Sequence, residues 1–273
     1  MVLDKDNRWD AETYHKISNI QEEWAIEILD KRKIKEDEVI LDAGCGSGRV
    51  TQLIAKKVKI GKIYAVDIDA NMISNAKINL KDFTNVIFIQ SDLINLKLPE
   101  KVDLIFSNAV IHWIFDHERL FKKFWDILKS GGELLIQFGG KDNLGTIPNI
   151  ADKIIKNKGF SQYFENWKMP WNFNSVENIS KILKDIGFKN IDVNSEKKIA
   201  KFTNLEEYRL FMKTVVLKPY LSYLPTDNNN KKEIFIDEFI KAQNYDQDQR
   251  IKQNLKLEID YTRLNIFAKK YKK

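Results

Sequence analysis

The chain is poor in the residues that build redox and metal centres. Among 273 residues there are one cysteine, Cys45, and three histidines. A single cysteine excludes a disulfide within the chain and a cysteine metal cluster, and it is typical of proteins from a reducing cytosol. Three scattered histidines argue against a catalytic metal site. We therefore expect a cytoplasmic protein without a metal.

Long apolar runs are also missing. No stretch reaches the roughly 20 apolar residues that cross a bilayer, and the first six residues carry no apolar segment of the signal-peptide type. We expect no membrane partner. Basic residues number 45 against 39 acidic ones, for a net charge of +6. This modest excess permits an anionic substrate or nucleic acid without requiring either.

Short apolar strands alternate with amphipathic helices in the first half of the chain. Strands are predicted at 39–41, 63–67, 86–89, 102–106 and 133–138, and helices at 9–31, 49–57, 71–80 and 120–128. Gly131 and Gly132 are expected to close the last of these helices. Such alternation predicts βαβ units, and hence an α/β fold with a mostly parallel sheet and helices on both faces.

The alternation loosens after Gly140. Residues 141–175 are rich in aromatic residues and turn-formers, and no helix is predicted there. Helices follow at 176–186, 205–217 and 234–242, and strands at 188–193 and 257–271. We expect residues 1–140 to form a core with an N-terminal lid helix. Residues 141–273 would supply a helical cap insertion and the last strands of the same seven-stranded domain.

A glycine-rich turn follows the first predicted strand. In "VILDAGCGSGR", Asp42 precedes Gly44, Gly46 and Gly48, and such glycines let a ligand approach the backbone closely. Dinucleotide-binding proteins use G-x-G-x-x-G to hold a pyrophosphate. Here Arg49 replaces the third glycine, and the carboxylate would repel a pyrophosphate. It suits a cationic ligand such as S-adenosylmethionine, which has a sulfonium and an ammonium group and no phosphate.

Asp67 is the second clue, because it ends the second predicted strand, 21 residues after Gly46. A carboxylate at that point can accept hydrogen bonds from both ribose hydroxyls of a nucleoside. Enzymes that use NAD share this feature, so its weight comes from its combination with Asp42 and the glycine spacing.

Four segments carry a family resemblance: "LDAGCGSG", "VDIDANMI", "QSDL" and "VDLIFSNAVIHW". Their order and spacing resemble class I S-adenosylmethionine-dependent methyltransferases, which implies a Rossmann-like fold and that cofactor. Within this class, "WDAETYHKISNIQ", "SNAVIHWIFDHERLF", "GELLIQF", "TVVLKPYLSYL" and "YTRLNIFAKK" are similar to trans-aconitate methyltransferases and related small-carboxylate O-methyltransferases. The chain departs from them at Lys218, where the family tends to have arginine, and at "FGGKDN".

The resemblance implies a cofactor site. Asp42 and the turn would face the methionine part, Asp67 the ribose, and Ile68, Asp92 and Leu93 the adenine. The implied cofactor residues are Tyr14, Gln21, Asp42, Gly44, Cys45, Gly46, Gly48, Asp67, Ile68, Met72, Asp92, Leu93, Asn108 and Ala109. For Tyr14 the alternative is simple helix packing, and for Cys45 it is a small buried residue in the turn.

His112 and Trp113 follow the fourth strand, where side chains point toward the methyl group in transfer. His112 is a candidate general base or acceptor ligand, and packing beside Trp113 is equally compatible with the sequence. A carboxylate nucleophile is already ionised at neutral pH and needs no base. Acceptor-site candidates are Trp167, Arg209, Lys218 and Arg263, with core packing or solvation as the alternatives. His15 and His117 are expected at the surface or as helix caps.

The sequence therefore predicts an S-adenosylmethionine-dependent methyltransferase that O-methylates a small, anionic carboxylic acid by direct in-line displacement. A nucleic-acid (tRNA/rRNA) methyltransferase is the first alternative, but residues 107–110 lack the Asn/Asp-Pro-Pro-aromatic motif and no basic arm is present. A non-catalytic cofactor-binding module is the second, and the intact acidic positions argue against it. Asp42 and Arg49 disfavour an oxidoreductase that uses NAD.

Overall fold

The protein is described by a computed structural model over residues 19–157, 159–225, 230–247 and 257–271. Tyr14 and His15 lie outside the described residues. The described chain falls into two compact units. Of the described residues, the sheet unit takes those within 19–141, 171–196 and 262–271, and the helical unit takes those within 142–170 and 197–261.

Seven strands form one sheet in the described ranges. They are β1 (Val39–Ala43), β2 (Lys62–Asp67), β3 (Val86–Gln90), β4 (Val102–Asn108), β5 (Leu128–Gly139), β6 (Lys189–Lys201) and β7 (Glu258–Lys269), in the order β3-β2-β1-β4-β5-β7-β6. The pairs β1–β2, β1–β4, β2–β3 and β4–β5 are parallel, and β5–β7 is antiparallel. The predicted seven-stranded, mostly parallel sheet is confirmed.

Nine α-helices accompany the strands in the described residues. They are α1 (Asn19–Leu29), α2 (Arg49–Lys57), α3 (Ala70–Asn79), α4 (His117–Ile127), α5 (Ile147–Asn157), α6 (Val176–Ile186), α7 (Leu205–Phe211), α8 (Lys218–Leu221) and α9 (Lys231–Gln247). Among these helices, none combines the length and the apolar character that a bilayer crossing requires.

Helices cover both faces of the sheet, because neighbouring strand residues point in opposite directions. In β1, Ile40 joins a core cluster that includes Ile28 of α1 and Ile54 of α2. The next residue, Leu41, joins a separate cluster that includes Phe121 of α4. β1 is buried along its whole length, as expected for the centre of a sheet covered on both sides.

The structure corrects the predicted end of the fourth helix. Helix α4 ends at Ile127, and β5 already begins at Leu128. Gly131 and Gly132 therefore belong to the irregular start of β5, where the register against β4 shifts between Val102 and Leu104. The Gly131 amide donates to the backbone oxygen of Lys270, so pairing with the end of the chain replaces the helix cap expected from the two glycines.

The structure also corrects the prediction of no helix between residues 141 and 175. Helix α5 lies there, and its buried residues Ile147, Ile150, Ala151 and Ile154 have helical spacing. Pro148 occupies its first turn, where the missing amide hydrogen costs no helical hydrogen bond. The surrounding aromatic and turn-forming residues hid this short periodic segment.

The helical unit has an aromatic core of its own. Trp167 stacks on Tyr220 with ring centroids 4.6 Å apart, and Phe235 contacts both Phe160 and Phe164. Helix α7 passes through a π-helical segment, Met212–Val216, before α8, so the helix predicted at 205–217 is present in altered form.

Candidate active site

The glycine turn links β1 to α2, at the point where the strand order reverses between β1 and β4. In open α/β sheets, ligands bind at the carboxyl ends of strands at such a switch point. Gly44, Gly46 and Gly48 have φ angles of +85°, +55° and +85°, which favour glycine. A Cβ on Gly44 would overlap the side chain of Val110, whereas one on Gly46 would meet no atom of the described residues within 4 Å. The backbone at Gly46 is thus open to close approach by a ligand.

Asp42 lies at the end of β1 with only 2% of its surface exposed. Its Oδ2 accepts a hydrogen bond of 2.6 Å from the hydroxyl of Thr51 on α2. Burial, opposed by the hydrogen bond from Thr51 and assisted by the negative charge of Asp67, raises the pKa of Asp42 to about 7. The carboxyl therefore titrates near neutral pH.

Asp67 ends β2 and faces the same turn. Its Oδ2 accepts from the Gly46 amide and its Oδ1 from the Asp69 amide, both at 2.9 Å. Burial raises the pKa of Asp67 to about 6, against these backbone hydrogen bonds. In the described part of the chain, no lysine or arginine pairs with Asp42 or Asp67. Two neighbouring buried carboxyls of this kind fit a ligand that carries positive charge and hydroxyl donors.

The other adenosine-side candidates lie in the loops that follow β2 and β3. Asp69 caps α3 by accepting from the amides of Asn71 and Met72. Asp92 is half-buried, and its Oδ1 accepts from the Ile94 amide at 2.8 Å. Ile68 is 38% exposed and offers an apolar surface, whereas Leu93 and Met72 are buried. The structure thus brings these predicted residues to the same edge of the sheet as Asp67.

The end of β4 contacts α1. The Asn108 side chain donates from Nδ2 to the backbone oxygen of Gln21 at 2.9 Å. Gln21 is buried, and its own Oε1 accepts no hydrogen bond from any residue that the structure describes. Ala109 has a φ of +60°, a rarely populated conformation that typically marks a functional constraint. Asn108 and Gln21 are therefore in contact, and Val110, the residue after Ala109, lies against Gly44 of the glycine turn, while the role of these residues in cofactor binding stays a prediction.

His112 lies in a 3-10 turn, Ile111–Trp113, just after β4 and is 8% exposed. Its Nδ1 accepts from the Gly139 amide at 3.3 Å. Burial lowers the pKa of His112 well below its usual value, with a further contribution from the charge of Arg263. The ring is therefore neutral, and the hydrogen bond assigns its proton to Nε2. In this form Nε2 donates a hydrogen bond and has no lone pair to accept a proton.

Aromatic rings surround His112. Its ring centroid lies 5.4 Å from that of Trp113 and 5.8 Å from that of Phe173. Trp171 stacks on Phe173 and also contacts Trp113. His112 therefore has the packing role that the sequence left open as one of two interpretations, and its part in acceptor binding stays a prediction.

Arg263 lies on β7 opposite Gly139 of β5, the residue whose amide donates to His112. It is only 2% exposed, and its Nε lies 3.3 Å from Oε1 of Gln137. The guanidinium also lies over the Trp24 ring, 5.5 Å from its centroid. The guanidinium of Arg263 and the neutral ring of His112 thus lie at the same end of β5.

The remaining acceptor candidates belong to the helical unit. Arg209 pairs with Glu233 at 2.6 Å and with Asp237 at 2.5 Å, which ties α7 to α9. Trp167 is part of the aromatic core of the unit, and Lys218 begins α8. These contacts give Arg209 and Trp167 structural roles, and their part in acceptor binding stays a prediction.

His117 is not at the surface, and this corrects its expected placement. It is 2% exposed, with Nε2 3.1 Å from the Ile111 oxygen and Nδ1 3.2 Å from Asn174 Nδ2. The sequence reading also missed Thr51, Gln137 and Asn265. A signal for the last two was present, because each is an amide within an otherwise apolar strand segment.

Comparison with known proteins agrees with this geometry. Residues 34–167 match the family model described as a methyltransferase domain. This segment, just under half of the chain, is similar to methyltransferase domains. The family resemblance inferred from the four motifs is thereby confirmed for this part of the chain, which holds the glycine turn, Asp67, Asp92 and His112.

Two curated methyltransferases are similar to about half of the chain. The chain is 38% identical to malonyl-[acyl-carrier protein] O-methyltransferase 1 of Ilyobacter polytropus over 48% of this chain and 50% of that protein. It is 32% identical to trans-aconitate 2-methyltransferase of Rhizobium etli over 52% of this chain and 54% of that protein. The chain thus spans about half the length of the curated relatives it matches.

Solved structures establish the fold. Phosphoethanolamine N-methyltransferase 2 of Haemonchus contortus, in complex with phosphomonomethylethanolamine and S-adenosylhomocysteine, superimposes with a TM-score of 0.60 at 19% identity, covering 98% of this chain and 58% of that chain. A methyltransferase-like protein of Bacillus halodurans gives 0.60 at 17% identity, covering 91% and 99%. The predicted Rossmann-like fold is confirmed.

Proposed function

We propose that this protein is an S-adenosylmethionine-dependent methyltransferase that O-methylates a small carboxylic acid by direct in-line displacement. The observation that carries the cofactor assignment is the pair of buried carboxyls, Asp42 and Asp67, beside the open backbone of Gly46. Bound S-adenosylmethionine supplies a methyl group on a sulfonium, whose leaving group needs no further activation.

Different residues of the chain bind the methionine, ribose and adenine parts of the cofactor. Asp42 offers negative charge to the cationic methionine end, and Asp67 offers acceptor oxygens to the ribose hydroxyls. Asp92 accepts from the adenine amino group, and the exposed face of Ile68 packs on the ring. Among the described residues, Oε1 of Gln21 has no hydrogen-bond donor, and this supports a donor from the ligand at that point, because a buried amide oxygen without a hydrogen bond is costly.

The acceptor assignment rests on His112 and Arg263. A hydroxyl or amine acceptor would need a base to remove a proton, but Nε2 of His112 already carries one because Nδ1 accepts from Gly139. A carboxylate needs no base and is instead held by donors and fixed positive charge. The Nε2–H of His112 and the guanidinium of Arg263 supply these. The relatives from Ilyobacter and Rhizobium are named for malonyl-[acyl-carrier protein] and trans-aconitate, and these names support a carboxylic acid as the acceptor.

Calorimetry with S-adenosylmethionine tests the cofactor assignment. We expect micromolar binding by the natural protein, loss of that binding in Asp67→Ala, and unchanged binding in Asp82→Ala, which removes an exposed carboxylate on the loop after α3. Heat with NAD and none with S-adenosylmethionine would overturn the assignment.

Product analysis by mass spectrometry then tests the acceptor. Tricarboxylic acids, dicarboxylic acids and malonyl-acyl carrier protein form one set, and unmodified tRNA and rRNA form the other. Methyl ester formation on an acid supports the proposal. Methylation of RNA alone, or cofactor binding without transfer to either set, contradicts it.

A further inference from the structure

A row of buried polar side chains crosses the sheet beside the candidate active site. Asn108 of β4 pairs in register with Gln137 of β5, and Gln137 pairs with Asn265 of β7. Gln137 has no exposed surface and Asn265 is 6% exposed. Apolar residues are the usual occupants of such positions, so three aligned amides call for a physical reason.

Hydrogen bonds connect this row to the edge strand. Asn265 Nδ2 lies 3.2 Å from Asn194 Oδ1 and 3.4 Å from Glu196 Oε2, both on β6. Asn265 Oδ1 accepts from Gln137 Nε2 at 2.8 Å. Gln137 Oε1 in turn accepts from Arg263 Nε at 3.3 Å.

The direction of each hydrogen bond in this row follows from the groups at its two ends, Glu196 and Arg263. An ionised carboxylate only accepts hydrogen bonds, so Glu196 turns the Nδ2 of Asn265 toward β6. The Oδ1 of Asn265 then faces Gln137, and the remaining oxygen of Gln137 faces Arg263. At the other end, Arg263 lies 3.5 Å from Asn108 Oδ1, and Asn108 donates to a backbone oxygen. Each amide therefore has one orientation.

We propose that Glu196, Asn265 and Gln137 are positioning residues that hold the guanidinium of Arg263 in the plane in which it binds the anionic group of the acceptor. This inference rests on the proposed function. A guanidinium recognises a carboxylate through two parallel N–H groups, so its plane decides whether both hydrogen bonds form. The oxygen of Gln137 accepts from Nε and so fixes that plane from one edge of the guanidinium.

The first test removes the oxygen next to Arg263. Gln137→Met keeps the length of the side chain and deletes its hydrogen bonds. We expect the acceptor KM to rise about tenfold, as for the loss of one hydrogen bond to a charged group. The kcat and the Kd for S-adenosylmethionine should stay within about twofold of the natural values. Gln162→Met, at an exposed site in the helical unit, is the matched control and should leave all three unchanged.

The second test first breaks the hydrogen bond between Asn265 and Glu196 and then restores one of opposite direction. Asn265→Asp still accepts from Gln137 but places a carboxylate against Glu196, so the acceptor KM should rise. The added change Glu196→Gln supplies an amide that can donate to the new carboxylate, and the KM should return to within about threefold of its natural value. A role limited to packing would show no such rescue.

The third readout needs no turnover. The natural protein should show a slowly exchanging Nε–H signal of Arg263 in nitrogen-15 NMR, identified by its loss in Arg263→Lys, and Gln137→Met should make it exchange rapidly.

If this pattern appears but no acid is methylated, the proposed function fails and the positioning role stands. If acids are methylated but neither the KM nor the signal changes in Gln137→Met, the positioning role is overturned. Parallel losses of stability and cofactor affinity without rescue would also overturn it.

Discussion

The hydroxyl of Thr51 lies 2.6 Å from Oδ2 of Asp42 and donates a hydrogen bond to it. Burial and the charge of Asp67 favour the protonated form of Asp42, and this hydrogen bond favours the ionised form. A residue of helix α2 therefore helps to decide how much negative charge the end of β1 carries at neutral pH. The first prediction follows from this contact.

Thr51→Val should weaken S-adenosylmethionine binding at pH 7 by about tenfold, because without the hydroxyl the pKa of Asp42 rises and less of the carboxylate is available. At pH 9 the loss should shrink, since Asp42 is then mostly ionised in both proteins. Calorimetry at the two pH values measures this, with Thr51→Ser as the control that keeps the hydroxyl. An equal loss at both pH values would show that the effect is not electrostatic.

Asp42→Asn should stabilise the cofactor-free protein at neutral pH. The folded protein holds the Asp42 proton up to a pKa of about 7, against a usual value of 3.8. Ionisation in the unfolded chain therefore favours unfolding progressively as the pH rises from 3.8 to 7. The difference between variant and natural protein should grow over this range to on the order of 4 kcal/mol. Urea unfolding at pH 4, 5.5 and 7.5 measures it, and a constant difference would contradict the raised pKa.

Two alanine variants of the glycine turn should separate folding from binding. Gly46→Ala places a Cβ where no atom of the described residues lies within 4 Å. The free energy of unfolding should therefore fall by only about 1 kcal/mol, because of the positive φ. Cofactor affinity should fall by about tenfold or more, because the methyl group intrudes on the proposed ligand position.

Gly44→Ala is the matched control, because its Cβ would overlap Val110. It should destabilise the fold by about 2–3 kcal/mol. Thermal unfolding and calorimetry measure the two variants side by side. A reversal of the pattern would place the ligand elsewhere on the turn.

His112 should contribute no ionisation to catalysis. Because burial keeps its pKa well below the usual value, kcat at saturating S-adenosylmethionine should show no inflection near pH 6.5. His112→Phe retains the ring packing and removes the Nε2 donor, so the acceptor KM should rise about tenfold. An inflection near pH 6.5 that disappears in His112→Phe would instead identify a general base.

The edge of the sheet that holds the site was predictable from local patterns. The glycine spacing, Asp42 before the turn and Asp67 at the end of β2 are all encoded within short segments. Parallel βαβ units bring the carboxyl ends of successive strands to one edge. The positions of Asp92, Asn108 and His112 near that edge followed from the same rule.

Other features depend on contacts between distant segments. The boundary between α4 and β5 was misplaced because Gly131 pairs with Lys270, which lies far along the chain. The surface placement expected for His117 was wrong because its ring binds Ile111 and Asn174. The row of Asn108, Gln137 and Asn265 exists only through the strand register.

By itself, the sequence determined the fold class, the order of the elements and the residues of the glycine turn, because periodicity and turn chemistry act over a few neighbouring residues. Only the tertiary structure decided the charge state of Asp42, the tautomer of His112 and the hydrogen-bonded orientation of Arg263. Each of these depends on burial and on partners from other helices and strands, namely Thr51, Gly139 and Gln137. The free energy of an ionisable or polar group is set by what surrounds it, and the fold brings those surroundings together.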